Sequence, residues 1–128
     1  MTEYVDRDVQ RLLHMIQGVK RLDRMLAGKT KDDFLCDEVL QAAALFEFST
    51  IGESAARVSE ALQARHPEIP WGQMRGMRNR IVHIFDYEQI DYDIIWNVAV
   101  AELSELESKL RTALSEIPLP DDFTLPEV

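Results

Sequence analysis

Apolar residues recur along this chain at helical spacing. Val5, Val9, Leu12, Ile16 and Val19 follow one another at alternating steps of four and three, one stripe of a helix that runs to about Ala27. Gly28 is placed to end it. Thr30, followed three residues later by Asp33, resembles a capping box with Asp in place of the usual Glu, which predicts a short helical turn before a second helix begins near Asp37. Leu40, Ala43, Ala44, Leu45, Phe46 and Phe48 are apolar around much of that helix, and Ile51, Ala55, Val58 and Leu62 then resume a single stripe. The pattern predicts a long central helix with several neighbours, stopped by Pro67 and Pro70. Gly52 in its middle costs about 1 kcal/mol of helix propensity relative to Ala, and a close approach by another helix is the compensation it predicts.

Pro70 suits the first turn of a third helix, from Trp71 to about Phe85, and Asp91 can cap a fourth with Ile94, Ile95, Val98, Leu103, Leu106 and Leu110 facing inward. The ending PLPDDFTLPEV cannot continue a helix. No alternating strand pattern and no internal repeat is visible. The expected architecture is all-α, an up-down bundle of four main helices plus a short helical turn, with a helical domain over 1–117 and an extended C-terminal tail over 118–128. Helices of such unequal apolar width also suggest that some apolar surface is buried against a second copy of the chain, as a homodimer.

Composition narrows the class. At 128 residues, 46% hydrophobic and 29% charged, the chain fits one ordinary globular domain. It contains no run near the roughly 18 apolar residues that a membrane span needs. The first residues, MTEYVDRDVQ, are acidic where an export signal would be basic and then apolar, so a cytoplasmic location is expected, with no membrane contact. The lone Cys36 fits a reducing compartment and reads as a buried inert thiol. No phosphate loop, nucleophile elbow or zinc spacing is present, so no metal and no cofactor is expected. His14 and His66 read as structural or merely exposed.

Fourteen basic against 23 acidic residues give a net charge of −9, which at first argues against a nucleic-acid partner. The distribution says otherwise. Arg65, Arg75, Arg78 and Arg80 face a single acid, Glu68, between positions 65 and 83, a local +3 that leaves −12 for the remainder. A phosphate-bearing ligand would find such an island, although ion pairs with the surrounding acidic helices explain it equally well. Within the island stands the string R-N-R-I-V-H. Asn79 and His83, four apart, share a helix face, whereas Arg78 and His83, five apart, diverge by about 140° at about 100° per residue. Either the arginine curls around the helix, or two copies of the helix face each other across a dimer axis and each supplies part of one site. The second arrangement brings two histidines to one substrate, as a concerted acid and base require.

The string MRGMRNRIVH, the preceding PEIPW, the upstream IGESA and the downstream IDYDIIW together resemble the HEPN superfamily, in particular HepT-like toxins of prokaryotic toxin–antitoxin pairs. The resemblance spans nearly the whole chain, to Leu110. It implies a metal-independent RNA endonuclease, the toxin of a type VII-like system, working as a homodimer with a minimal nucleotidyltransferase as antitoxin partner. It also implies a catalytic set of Arg78, Asn79 and His83. On that reading His83 moves protons at the 2′-hydroxyl and the leaving 5′-oxygen, Arg78 stabilises charge on phosphorus, and Asn79 orients phosphate or imidazole. The family often carries Tyr two residues after the histidine, where its partner attaches AMP. Here that position is Phe85, and Tyr87 is either a displaced AMP acceptor or a packing residue.

Glu53, in IGESA, is a buried-acid candidate, read as a partner for an arginine of the signature helix rather than as a base. Trp71 and Trp96 read as core or interface aromatics. The competing class is a catalytically silent module of the same fold, holding a nucleotide or substrate for the partner transferase.

Overall fold

A computed structural model describes residues 2–82, 90–121 and 124–127. His83, Phe85 and Tyr87 lie outside the described residues, as does the side chain of Val5. The architecture is all-α, with no strand among the described residues. Its elements are α1 (Thr2–Leu26), α2 (Lys31–Leu35), α3 (Glu38–Arg57), α4 (Glu60–Arg65), α5 (Trp71–Val82), α6 (Tyr92–Ala101) and α7 (Leu103–Ser115).

The local signals for helix ends act as their chemistry dictates. Gly28 takes a left-handed φ of 74°, a conformation open to glycine at no steric cost, just after α1 ends. Thr30 Oγ1 accepts from the Asp33 N–H at 3.1 Å while Asp33 Oδ2 accepts from the Thr30 N–H at 2.9 Å, a complete capping box for α2. The Thr30 backbone N–H, and after it the Thr30 hydroxyl, hold the Asp33 carboxyl below the usual carboxylate range. Asp37 caps α3 and Asp91 caps α6 through their side chains. Cys36 ends α2 and is exposed, not buried, because it lies on the short connector that turns the chain into α3.

The second predicted helix is two. It stops at Val58, which is extended (φ −66°, ψ 141°), and restarts at Glu60. Asp8 of α1 causes the break: its carboxylate accepts from the Ser59 N–H at 2.9 Å and from Ser59 Oγ at 2.6 Å. Ser59 Oγ in turn accepts from the Leu62 N–H, capping α4, and the Gln63 side-chain amide donates to the Val58 carbonyl. The Ser59 and Leu62 N–H groups and the Val58 carbonyl, freed by the break, are thus paired, which lets a buried position carry it. The fourth predicted helix also bends, at Glu102, into α6 and α7. Ile95, Leu103, Leu106 and Leu110 face inward as expected, but Ile94 is half exposed, because Ile95 takes the buried position on that turn.

Helix α3 packs against α1 on one side and α5 on the other. The core joins Leu12, Ile16 and Val19 of α1 with Ala44, Phe48, Ile51 and Ala55 of α3, Leu62 of α4 and Leu110 of α7. Phe34 plugs one end, edge-on to Tyr92 at 6.1 Å and tilted against Trp96 at 5.7 Å. Trp71 is buried and its indole N–H donates to the His66 carbonyl at 2.9 Å. The α3–α5 crossing is close. A β-carbon built on Gly52 would overlap Arg78 Cβ and stand 2.5 Å from the Met74 carbonyl oxygen. That is the close approach Gly52 implies from sequence.

Gly52→Ala would gain helix propensity but meet backbone atoms that cannot swing away. The expected outcome is a net loss of about 1–3 kcal/mol, as for other overpacked sites, read as a lower midpoint in urea. Equal or greater stability of the variant would show that the crossing has slack.

Candidate active site

Helix α5 presents Arg78 and Asn79 because its other face is anchored. Trp71 and Met74 are buried, and Met77 packs partly against the core. The crossing at Gly52 sets the backbone of Arg78 against α3. Asn79, the next residue, lies on the exposed side. The Arg78 guanidinium, about one-third exposed, points to two acceptors. Its Nη2 lies 2.9 Å from Glu53 Oε2, and its Nη1 donates to Asn79 Oδ1 at 3.0 Å.

Glu53 is therefore a partner for the signature arginine, but it is not buried: its side chain is 38% exposed. Its other oxygen accepts from Arg57, one turn on, at 2.8 Å from Nη2 and 3.0 Å from Nε. The result is a chain of charges, Arg57–Glu53–Arg78, that ends on the Asn79 amide. Arg57 balances the carboxylate, so Arg78 keeps a surplus of positive charge. A guanidinium has five N–H donors. With one directed to Glu53 and one to Asn79, three remain for a bidentate grip on a phosphate.

Of the predicted set, Arg78 and Asn79 are adjacent and mutually hydrogen-bonded, while His83 lies outside the described residues. Arg57 is an addition. Its signal in the sequence is the spacing of four from Glu53, the commonest ion-pair register on a helix. The rest of the basic island is partly spent on structure. Arg75 donates to Gln63 Oε1 at 2.9 Å. Glu68, the island's one acid, has its carboxyl held below the usual range, first by a hydrogen bond from its own backbone N–H and then by His66. His66 is buried between Glu68 (3.2 Å) and Glu116 (3.4 Å), a structural tie to the end of α7, and His14 is exposed on α1. Among the described residues, no three of His, Cys, Asp and Glu converge as a metal site requires, and no helix is long and apolar enough to cross a membrane.

Comparison with known proteins decides the family. The ribonuclease HepT-like family matches residues 15–113. The chain is a member of the HepT-like ribonuclease family. Over 105 residues, 82% of this chain and 92% of the other, it is 30% identical to a protein of Caldanaerobacter subterraneus subsp. tengcongensis named "Putative RNase TTE0752". It is 32% identical over 78 residues to "Probable ribonuclease HepT" of Thermococcus cleftensis, covering 61% of this chain and 69% of that one. A third relative, "Putative RNase MJ0127" of Methanocaldococcus jannaschii, is 25% identical across 93% of this chain and 98% of its own length. No solved structure matches. In this HepT-like protein the matched span contains Glu53, Arg57, Arg78, Asn79 and His83.

The charge chain makes a direct prediction. Glu53→Ala leaves the fold within about 1 kcal/mol of wild type, since both partners are part-exposed and such pairs contribute little. It releases the guanidinium, so the Arg78 side-chain N–H resonances should sharpen and average in nitrogen-15 NMR, while Glu53→Gln retains part of the order. Unchanged Arg78 side-chain dynamics in Glu53→Ala would show that Asn79 alone holds it.

Proposed function

We propose that this HepT-like protein is a metal-independent RNA endonuclease and the toxin of a toxin–antitoxin pair, cleaving at a composite site across a homodimer. The observation that carries the reading is the meeting of Arg78 and Asn79 on the open side of α5, within a span that matches a ribonuclease family. Uncovered apolar surface supports the dimer: on α3, Val39 is 81% and Phe46 65% exposed, and Val100 and Ile94 of α6 are also open. Phe46 stands seven residues before Glu53, two turns along one helix face, so an α3 pairing would bring two Arg78 side chains towards one groove.

In this mechanism the 2′-hydroxyl of the RNA attacks the adjacent phosphorus. His83 of one subunit takes the hydroxyl proton and His83 of the other gives a proton to the departing 5′-oxygen. The products are a 2′,3′-cyclic phosphate and a free 5′-hydroxyl, and the two histidines exchange roles to reset. Arg78, oriented by Glu53 and Asn79, offers its free donors to the non-bridging oxygens, whose charge grows in the transition state. An adjacent minimal nucleotidyltransferase serves as antitoxin. With Phe85 at the usual acceptor position, Tyr87 is the residue through which AMP transfer would act, and masking of the groove needs no tyrosine.

The test is inducible expression of wild type, His83→Ala and Arg78→Ala, scored by growth and RNA integrity. Wild type should arrest growth and fragment RNA, and each variant should cut at least about 100-fold more slowly, the usual scale for loss of one acid–base or charge-stabilising group. A folded dimeric wild type that neither arrests growth nor cuts RNA would overturn the reading.

A further inference from the structure

A second cationic cluster lies outside the signature helix. On the C-terminal half of α1, Gln17, Lys20, Arg21 and Arg24 line an open concavity of about 700 Å³, together with Glu127 from the C-terminal tail. The spacing places them on one helix face. Asp23 is turned away, its carboxyl raised by burial and by Glu107 of α7. Lys20 and Arg24 make no ion pair among the described residues. Arg21 is fixed from below: its Nε donates to Glu47 Oε2 of α3, whose side chain is only 4% exposed. The other oxygen of Glu47 is buried with no hydrogen-bond partner among the described residues.

A buried carboxylate is costly, and an ion pair formed this way stabilises a fold weakly. Its effect here is orientation. With its Nε held by Glu47, Arg21 lines the concavity between Lys20 and Arg24. Helix α3 thus anchors two arginines, Arg21 through Glu47 and Arg78 through Glu53, on opposite flanks and about 9 Å apart along its axis at 1.5 Å per residue. Arrays of Arg, Lys and amide groups with open donors match the oxygens of phosphodiesters.

We propose that Gln17, Lys20, Arg21 and Arg24 form a phosphate-binding subsite for an RNA strand, separate from the Arg78 site, with the tail carboxylate of Glu127 at its edge opposing an incoming phosphate by like charge. The choice of RNA rests on the ribonuclease reading. The concavity itself does not. An acidic chain of net charge −9 would otherwise repel the strand it cuts, and a second grip away from the scissile bond raises the residence of long substrates over short ones.

The test uses the intact protein and a labelled, uncleavable 2′-O-methyl RNA of about 20 nucleotides, with anisotropy read across a salt series. Lys20→Glu/Arg24→Glu, both surface changes, should weaken binding at least about tenfold. It should also flatten the slope of log affinity against log salt by about 1.4, from two lost phosphate contacts at roughly 0.7 each for a single strand. Removal of residues 124–128 should tighten wild-type binding and leave the double variant unchanged. Inorganic phosphate should compete only at concentrations far above that of RNA phosphate. Wild-type affinity and slope in the double variant overturn the proposal. So does equal competition by inorganic phosphate, which marks a small-anion site. Loss of binding to the nucleotidyltransferase with RNA binding intact also overturns it, because the surface is then a protein interface. A wild type that binds this RNA through Lys20 and Arg24 yet cuts no natural RNA refutes the nuclease reading and leaves the subsite standing.

Discussion

The crossing of α3 and α5 at Gly52 is the constraint on which the rest of the molecule depends. With no β-carbon at that position, the backbone of Arg78 rests directly on α3. That places the guanidinium next to Glu53, the neighbouring residue on the same helix, and leaves Asn79 facing outward. The geometry of the candidate site is therefore inherited from main-chain packing rather than from flexible side chains. A site built in this way keeps its dimensions when surface residues change, because the distance between two helix axes is set by the smallest residue between them.

Electrostatics is layered onto that frame through glutamates. Glu53 shares its charge between Arg57 and Arg78, and Glu47 gives its charge to Arg21. In each case a carboxylate on α3 orients an arginine that arrives from another helix. The acidic excess of the sequence is thus partly a scaffold for the basic groups. That explains how a protein with 23 acids can present local positive charge. Total charge reports how the chain meets solvent, whereas the site follows from which acids are committed to which arginines.

Much of this was legible in the sequence, for reasons tied to particular residues. Thr30 with Asp33, Asp37 and Asp91 are short-range caps whose partners lie within three residues, so local reading suffices. Gly52 in an apolar helix announced a neighbour, and the acid in IGESA announced an arginine. What escaped was long-range. Ser59 is a local cap signal beside Val58, but the apolar stripe runs straight through it, and the acceptor that holds the break belongs to Asp8, at the far end of α1. The exposure of Cys36 follows from its place on a connector, which apolar character alone does not reveal. The α1 cluster escaped because charge summed over a stretch of sequence includes Asp23, which the helix turns away. His83, the residue on which the catalytic proposal turns, lies outside the described residues and rests on the family resemblance.

The Arg57–Glu53–Arg78 chain has a consequence for how such a protein can drift. Reversing the charge at position 53 alone would set a cation between two arginines, and neutralising position 78 alone would leave Glu53 with a single partner one turn away. Changes at these three positions are therefore coupled, the charge at one setting what the other two can carry. Position 52, pinned by main chain on its far side, is held to the smallest residue throughout. Covariation centred on a fixed glycine is the trace that this helix crossing should leave in descendants of the chain.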